Sequence, residues 1–426
     1  MTSKIKWSEF YKKTLSERLD YLKENTSLDK EDYTVLEKYG SLDFDTANRM
    51  IENVVGVHAL PLGIATNFKI NGKEMLVPMV IEEPSVVAAA SKIAELTLPE
   101  GFTASSTEPI MIGQIQLTHA SEDVVKKILS AKEELITLAN SKGDVIIKLG
   151  GGVKDLEAKT FSTSRGEMVC IYLHVDVRDA MGANFVNMAC ETLAPKIEEL
   201  TGGTAVLRII SNLATKRLVK AKATFSKKAL EESFKGKPFT GEEIIEKILD
   251  AHAFAEVDPY RAVTSNKGIM NGIDAVVIAT GNDWRAVEAG AHSFASFSGQ
   301  YKPLTKYYKN KESNLVGEIE LPMQVGLVGG ATRTHPLAKI ALKMLGVKTA
   351  NELGEVIACV GLAQNVAALR ALSTEGISRG HMRLHANNIA VLAGATGEQI
   401  QIIAKKLYEE KNVSLNRAKE LMKELK

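Results

Sequence analysis

Cysteine is scarce in this sequence. Cys170, Cys190 and Cys359 lie far apart over 426 positions and form no CxxC pair. That argues against a disulfide framework or a zinc ribbon and fits a reducing compartment. Net charge is nearly absent too, with 53 Lys and Arg against 52 Asp and Glu, so no global field favours nucleic acid or an anionic membrane. Long hydrophobic runs are missing. The most apolar stretch, around 355–372, is broken by Gly361, Gln364, Asn365 and Arg370, and is expected to be a buried helix rather than a membrane span. The opening MTSKIKWSEF has no apolar signal-peptide core, so a soluble, cytoplasmic protein is expected. The sequence also lacks a GxGxxG fingerprint and a P-loop, so any dinucleotide would be held without the Rossmann signature.

What is present suits a large folded core. Apolar residues are 45% and charged residues 25% of the chain, and the length implies two or three domains at roughly 150 residues each. Residues 1 to about 55 read as charged helices. Residues 57–81 alternate around Asn71-Gly72, a hairpin signal. EEPSVVAAASKIAEL reads as a helix with Pro84 in its first position. Strands are expected at 110–117 and 168–177, with a helix at 121–141 between them, then the Gly150-Gly151-Gly152 run. A helix follows from DAMGAN, and TAVLRIISNLA returns as a strand. This β-α-β-α-β run suggests a small separate α+β domain. A helix-rich pattern continues to about 372, and two short helical patterns follow Gly376 and Gly380. No internal repeat is evident.

Five polar runs beside apolar helices could carry chemistry, several of them with a bland alternative. Glu82-Glu83-Pro84-Ser85 complements a helix dipole, or makes Glu83 a general acid raised in pKa by burial, with Ser85 on a substrate oxygen. Arg261 to Gly272 is a solvated turn, or a site where Arg261 clamps a carboxylate and Lys267 faces an oxyanion. Asp283, after the apolar DAVVIA, is a helix cap or a site-mouth carboxylate. His381 and His385 are four apart with no HExxH, so no metal is expected, and His381 reads better as a general acid. Asp179-Ala180-Met181-Gly182-Ala183-Asn184 at a helix start forms an anion cradle.

Together and in order, IENVVG, IEEPSVVAAAS, DAMGAN, NKGIMNG, ATGNDWRA, VGLAQN and GHMRLH resemble the soluble, class II bacterial 3-hydroxy-3-methylglutaryl-CoA (HMG-CoA) reductases, over about residues 50–395. The resemblance implies Glu83, Lys267, Asp283 and His381 as catalytic residues. It implies Ser85, Arg261, Thr264, Asn271 and Asn365 as substrate contacts. It places the cofactor on Asp179, Met181, Gly182, Ala183, Asn184 and Asn212. It further implies an α+β fold: a large helix-rich substrate-binding domain with an inserted small, non-Rossmann, ferredoxin-like dinucleotide-binding domain and a C-terminal helical flap. The corresponding boundaries are 1–109 and 216–375 for the large domain, 110–215 for the small domain and 376–426 for the flap.

The implied reaction reduces HMG-CoA to mevalonate and free coenzyme A with two NADPH or NADH, in the mevalonate pathway of isoprenoid biosynthesis, in a homodimer whose active site lies between subunits. Lys267 would oppose the oxyanion, with Asp283 holding Lys267 and coupling to Glu83. His381 would protonate the departing thiolate, and Glu83 would donate in the second step. Gly376 and Gly380 are candidate flap hinges or plain helix caps. The oxidative, mevalonate-degrading direction is the alternative. A coenzyme A acyltransferase and a non-catalytic binder are more distant ones. NADPH and NADH both stay open: Lys148 or Lys154 would suit a 2′-phosphate, and Asp144 a ribose hydroxyl.

Overall fold

The computed structural model describes residues 10, 12–38, 42–120, 123–234, 239–374 and 376–425, and excludes the side chains of 144 and 377–384. Three helices open the chain, α1 (Leu15–Asn25), α2 (Lys30–Glu37) and α3 (Phe44–Met50). Their starts are chemically marked. Thr14 and Asp29 form reciprocal capping boxes with Glu17 and Asp32, and Asp43 caps α3 through the Thr46 N–H.

The hairpin β1 (Leu62–Ile70) and β2 (Lys73–Val80) turns at Asn71 and Gly72, both at positive φ, as a two-residue hairpin requires. Helix α4 (Val86–Leu96) and strand β3 (Phe102–Ser106) follow. Pro84 does not occupy the first helical position. Ser85 is the N-cap, at φ +78, and α4 begins at Val86. The proline precedes the cap.

The next run is β4 (Ile110–Thr118), α5 (Val124–Ser130), α6 (Lys132–Asn140), α7 (Asp144–Lys148), β5 (Gly152–Thr163), β6 (Gly166–Asp176), α8 (Ala183–Thr201) and β7 (Thr204–Ser211). The expected β-α-β-α-β is therefore β-α-β-β-α-β, with β5 the additional strand. The sheet is antiparallel throughout, in the order β5-β6-β4-β7. Its buried side chains, from Met111 to Ala214, form a core of their own with α5, α6 and α8.

Then come β8 (Leu218–Phe225), α9 (Lys227–Glu232), α10 (Gly241–Val257), α11 (Pro259–Ala279), α12 (Trp284–Ser296), β9 (Thr305–Lys309), β10 (Leu315–Pro322), α13 (Gly330–Thr334), α14 (Pro336–Leu345) and α15 (Ala350–Leu372). The helix-rich expectation here missed three strands. They complete a six-stranded sheet in the order β2-β1-β3-β8-β10-β9, covered by α4, α11 and α15. Residues 261–272, weighed as a turn, are helical within α11.

Among the described helices, α15 alone is long and apolar enough to cross a membrane. Two thirds of its most apolar window is buried inside the chain, so it serves as the central core helix. It crosses α11 at close range. A Cβ at Gly361 would fall 2.8 Å from the Ile273 side chain, and one at Gly272 would fall 3.0 Å from the Val360 carbonyl. The chain ends in three helices rather than two, α16 (Ile377–Leu392), α17 (Glu398–Glu409) and α18 (Leu415–Glu424), around a small core from Ala386 to Leu421. Position 380 lies inside α16, while Gly376 caps it at φ +79. The fold is mixed α+β.

Candidate active site

The crossing of α11 and α15 opens a cavity of about 420 Å³ beside the start of α4. Helix α11 lines it with Arg261, Thr264, Ser265, Lys267, Gly268 and Asn271, spaced three or four residues apart so that they share one side of the helix. The segment before α4 supplies Glu83 and Ser85 from the opposite wall. Glu83 Oε2 lies 3.4 Å from both Lys267 Nζ and Asn271 Nδ2. Lys267 is 64% exposed and Glu83 is partly exposed, so water screens the pair, which contributes little to stability. The ammonium keeps further donors for an incoming oxygen.

Arg261 is fixed at the helix start, where its own N–H meets the Asp258 carboxylate at 2.7 Å. Its Nε is buried without a partner among the described residues. A buried guanidinium N–H left unpaired is costly, and Arg261 lines the cavity, where its guanidinium is placed to meet an anionic ligand. Ser85 holds a left-handed backbone and makes no capping bond, so its hydroxyl is not committed to the helix. Strain of this kind in a non-glycine residue gathers at functional sites. Thr264 donates to the Tyr260 carbonyl at 2.9 Å and can still accept.

A groove of about 830 Å³ shares Glu83, Pro84 and Ser85 with the cavity and runs along β1 and α4 past Thr66, Ser91 and Lys92. The two spaces meet at the carboxylate, so an elongated ligand could place its head in one and its tail in the other.

The 179–184 segment enters α8. Gly182 is the N-cap at φ +102 and no side chain caps the helix, so its first N–H groups are available to an anion. The Asp179 carboxylate accepts from Ala350 N at 2.8 Å, and its carbonyl accepts from Leu327 N. Asp179 therefore anchors this segment rather than standing open. The exposed Asn212 follows β7, its carbonyl held by Gln324. Nearby, Lys154 Nζ and Arg178 Nη2 both donate to the Gly150 carbonyl, at 2.8 and 3.0 Å.

Comparison with known proteins decides the family. The sequence model for hydroxymethylglutaryl-coenzyme A reductase matches residues 14–386. A 3-hydroxy-3-methylglutaryl-coenzyme A reductase of Archaeoglobus fulgidus is 52% identical over 98% of this chain and 94% of its own. The chain belongs to the hydroxymethylglutaryl-coenzyme A reductase family. A probable reductase of Borreliella burgdorferi is 37% identical, over 89% of this chain and 85% of its own. The solved 3-hydroxy-3-methylglutaryl-coenzyme A reductase of Streptococcus pneumoniae superposes with a TM-score of 0.84 at 41% identity, covering 99% of this chain and 100% of that one. Another structure from that organism, a class II reductase bound to NADPH in open conformations, gives 0.81 at 42% identity, covering 97% of this chain and 100% of that one. Membership makes the protein an oxidoreductase.

Several residues expected from the reductase resemblance lie elsewhere than in the cavity. Asn365 is 1% exposed and committed internally. Its Oδ1 accepts from Tyr307 at 2.7 Å and Thr305 at 3.1 Å, and its Nδ2 reaches Ser265 Oγ at 3.1 Å. It ties α15 to α11 and β9. Its neighbour Gln364 lines the cavity instead, with Oε1 buried and unpartnered among the described residues. The helical phase of α15, which puts Gln364 with Ala367, Ala368 and Ala371, would have revealed this. Arg370, not expected from the sequence, is a second guanidinium on the cavity wall, stacked over Phe234 at 3.8 Å.

Asp283 is the N-cap of α12. Its carboxylate accepts from Ala286 N at 3.1 Å and lies 3.8 Å from Arg285. It does not line the cavity, so the expected coupling to Lys267 and Glu83 does not form within one chain. His381 falls in α16, with its side chain outside the described residues, while Gly376 at the mouth of that helix borders the cavity.

Proposed function

We propose that the cavity binds the hydroxymethylglutaryl group of HMG-CoA and that the adjoining groove takes the pantetheine arm. The observation that carries this is the single oxygen of Glu83 facing both Lys267 and Asn271, beside a guanidinium N–H with nothing to bind. Arg261 pairs with the substrate carboxylate. Ser85, Thr264 and Gln364 supply polar contacts around the branch point.

The nicotinamide, when bound, supplies hydride to the carbonyl carbon, once to the thioester and once to the aldehyde. Lys267 holds its ammonium against the oxygen on which charge grows, and removing such a contact costs on the order of 10²–10³ in turnover. When the C–S bond breaks, His381 protonates the leaving thiolate, which prevents its return. Both donors to Glu83 fall on Oε2, leaving Oε1 to carry the proton that completes the alcohol. The overall balance is HMG-CoA, two reduced cofactors and two protons to mevalonate, coenzyme A and two oxidised cofactors.

We further propose that residues 110–215 form the cofactor domain. The β-α-β-β-α-β order with spatial order β5-β6-β4-β7 is that of a ferredoxin-like unit. The uncapped α8 start suits a diphosphate, and Lys154 at the Gly150 carbonyl, beside the Arg178–Asp176 pair, suits the 2′-phosphate of NADPH. Residues 376–426 act as the flap. The site is completed in a cytoplasmic homodimer, with Asp283 of the partner subunit reaching Lys267. Exposed apolar side chains support this: Tyr260, at 83% exposure, and Val263 lie on the Lys267 side of α11, and Ile51, Val55 and Val57 lie before β1.

Oxidation of NADPH and, separately, NADH should depend on HMG-CoA and consume two cofactors per mevalonate formed. A folded protein that oxidises neither on adding HMG-CoA would overturn the proposal. Mevalonate-dependent reduction of the oxidised cofactors reads the reverse direction.

A further inference from the structure

Beneath the 179–184 segment lies a guanidinium that touches no carboxylate. Arg217, in the turn between β7 and β8, is 2% exposed. Its Nη1 donates to the carbonyls of Ala180 at 3.0 Å and Met181 at 3.3 Å, and its Nη2 donates to that of Val325 at 2.6 Å. Nε is buried with no partner among the described residues. All three acceptors are neutral. The two acids nearby are committed elsewhere, Asp176 to Arg178 at 2.5 Å and Asp179 to Ala350 N. Burial lowers the Arg217 pKa to about 10, so the charge persists at neutral pH.

A staple between carbonyls needs donors but no charge, and a buried cation on which Asp179 and Asp176 act only through space, with no carboxylate in contact, is costly to keep. The cost has a use if an anion arrives above it. The carbonyl of Met181 and the N–H of Gly182 belong to one planar trans peptide, so turning the carbonyl down onto Arg217 turns that N–H to the opposite side. There it joins the free N–H groups of α8. The same hub fixes where this surface faces. Val325 precedes Gly326, whose N–H bonds Asn282 Oδ1 at 2.7 Å, and a Cβ at Gly326 would come within 2.6 Å of Met181 N.

We infer that Arg217 is a positioning residue for the diphosphate of the dinucleotide, orienting the Met181–Gly182 peptide and adding its charge beneath the α8 start. The inference rests on the assignment of the 179–184 segment to the cofactor.

The test measures the dissociation constants of NADPH, by nicotinamide fluorescence, and of coenzyme A, by calorimetry, on the full-length protein. Arg217→Met should weaken NADPH about tenfold or more, raise the KM for NADPH more than it lowers kcat, and leave coenzyme A unchanged. Arg217→Lys should recover part of the loss. Unchanged NADPH affinity in folded Arg217→Met, or an equal loss of coenzyme A, would overturn the inference. If Arg217→Met does not fold, Gly326→Ala displaces the same peptide with the guanidinium in place, and unchanged NADPH binding there would overturn it too. A wild-type protein that binds no NADPH would instead remove the cofactor assignment itself.

Discussion

Gly272 of α11 lies directly under Gln364 of α15: a Cβ added to the glycine would stand 3.0 Å from the glutamine Cβ and 3.0 Å from the Val360 carbonyl. Backbone cannot yield as a flexible side chain can. Gly272→Ala should therefore spread the two helices, cost about 1–3 kcal/mol of stability and raise the KM for HMG-CoA. Urea unfolding and steady-state kinetics together check this. A variant with normal stability and KM would show that the crossing has slack.

The unpartnered Nε of Arg261 predicts a binding effect more than a chemical one. Arg261→Lys keeps a cation but loses the planar fork, and should raise the KM for HMG-CoA roughly tenfold or more, with a smaller change in kcat. If kcat alone falls, Arg261 acts on the transition state rather than on the bound carboxylate.

Asp283 caps α12 outside the cavity of its own chain, while Lys267 lies within it. Lys267→Ala and Asp283→Ala proteins should each be nearly inactive. After mixing and subunit exchange, half the dimers would be hybrids with one intact site, so activity should return to about a quarter of wild type. No recovery from demonstrated hybrids would place Asp283 and Lys267 in the same subunit's chemistry.

Asp274, one turn beyond Asn271 on α11, is pushed up to about 8, by burial first and then by the hydrogen bond and charge of Glu288. Between its ordinary value of 3.8 and that value, the unfolded chain gives up a proton that the native residue keeps. The stability this group contributes is thus whole at low pH and is lost as pH rises through the folded pKa. Asp274→Asn should remove that loss, so its Tm relative to wild type should climb from pH 5 to 8.5. A constant Tm difference would show that Asp274 does not titrate in this range.

Chemistry was more legible in the sequence than architecture. Asn71-Gly72 announced its hairpin because few residues adopt two consecutive left-handed conformations. Glu83 and Lys267 were candidates by residue type and Asn271 by the family resemblance, yet their meeting on one carboxylate oxygen depends on α11 being helical through two glycines that resemble turn residues. Strand β8 escaped because its inward positions include Ala221 and Ala223, too small to mark a strand strongly, between lysines that face out. Strand β5 escaped behind three glycines and a largely polar outer end. Asn365 was expected from the family resemblance, whereas Gln364, one position earlier on a helix buried nearly all round, is the polar residue that faces the cavity, and Asn365 bonds inward.

Helix α15 also works as a measuring rod. Its first residue, Ala350, grips Asp179 in the 179–184 segment, and Gln364, fourteen residues on, faces the cavity. At 1.5 Å per residue the two marks stand about 21 Å apart along the helix axis. Under the proposed assignments, each chain therefore keeps the α8 start at a set remove from the cavity between α11 and α15. If the second subunit supplies the missing reach, turnover becomes a readout of concentration: specific activity should fall as the protein is diluted through its dimer dissociation constant.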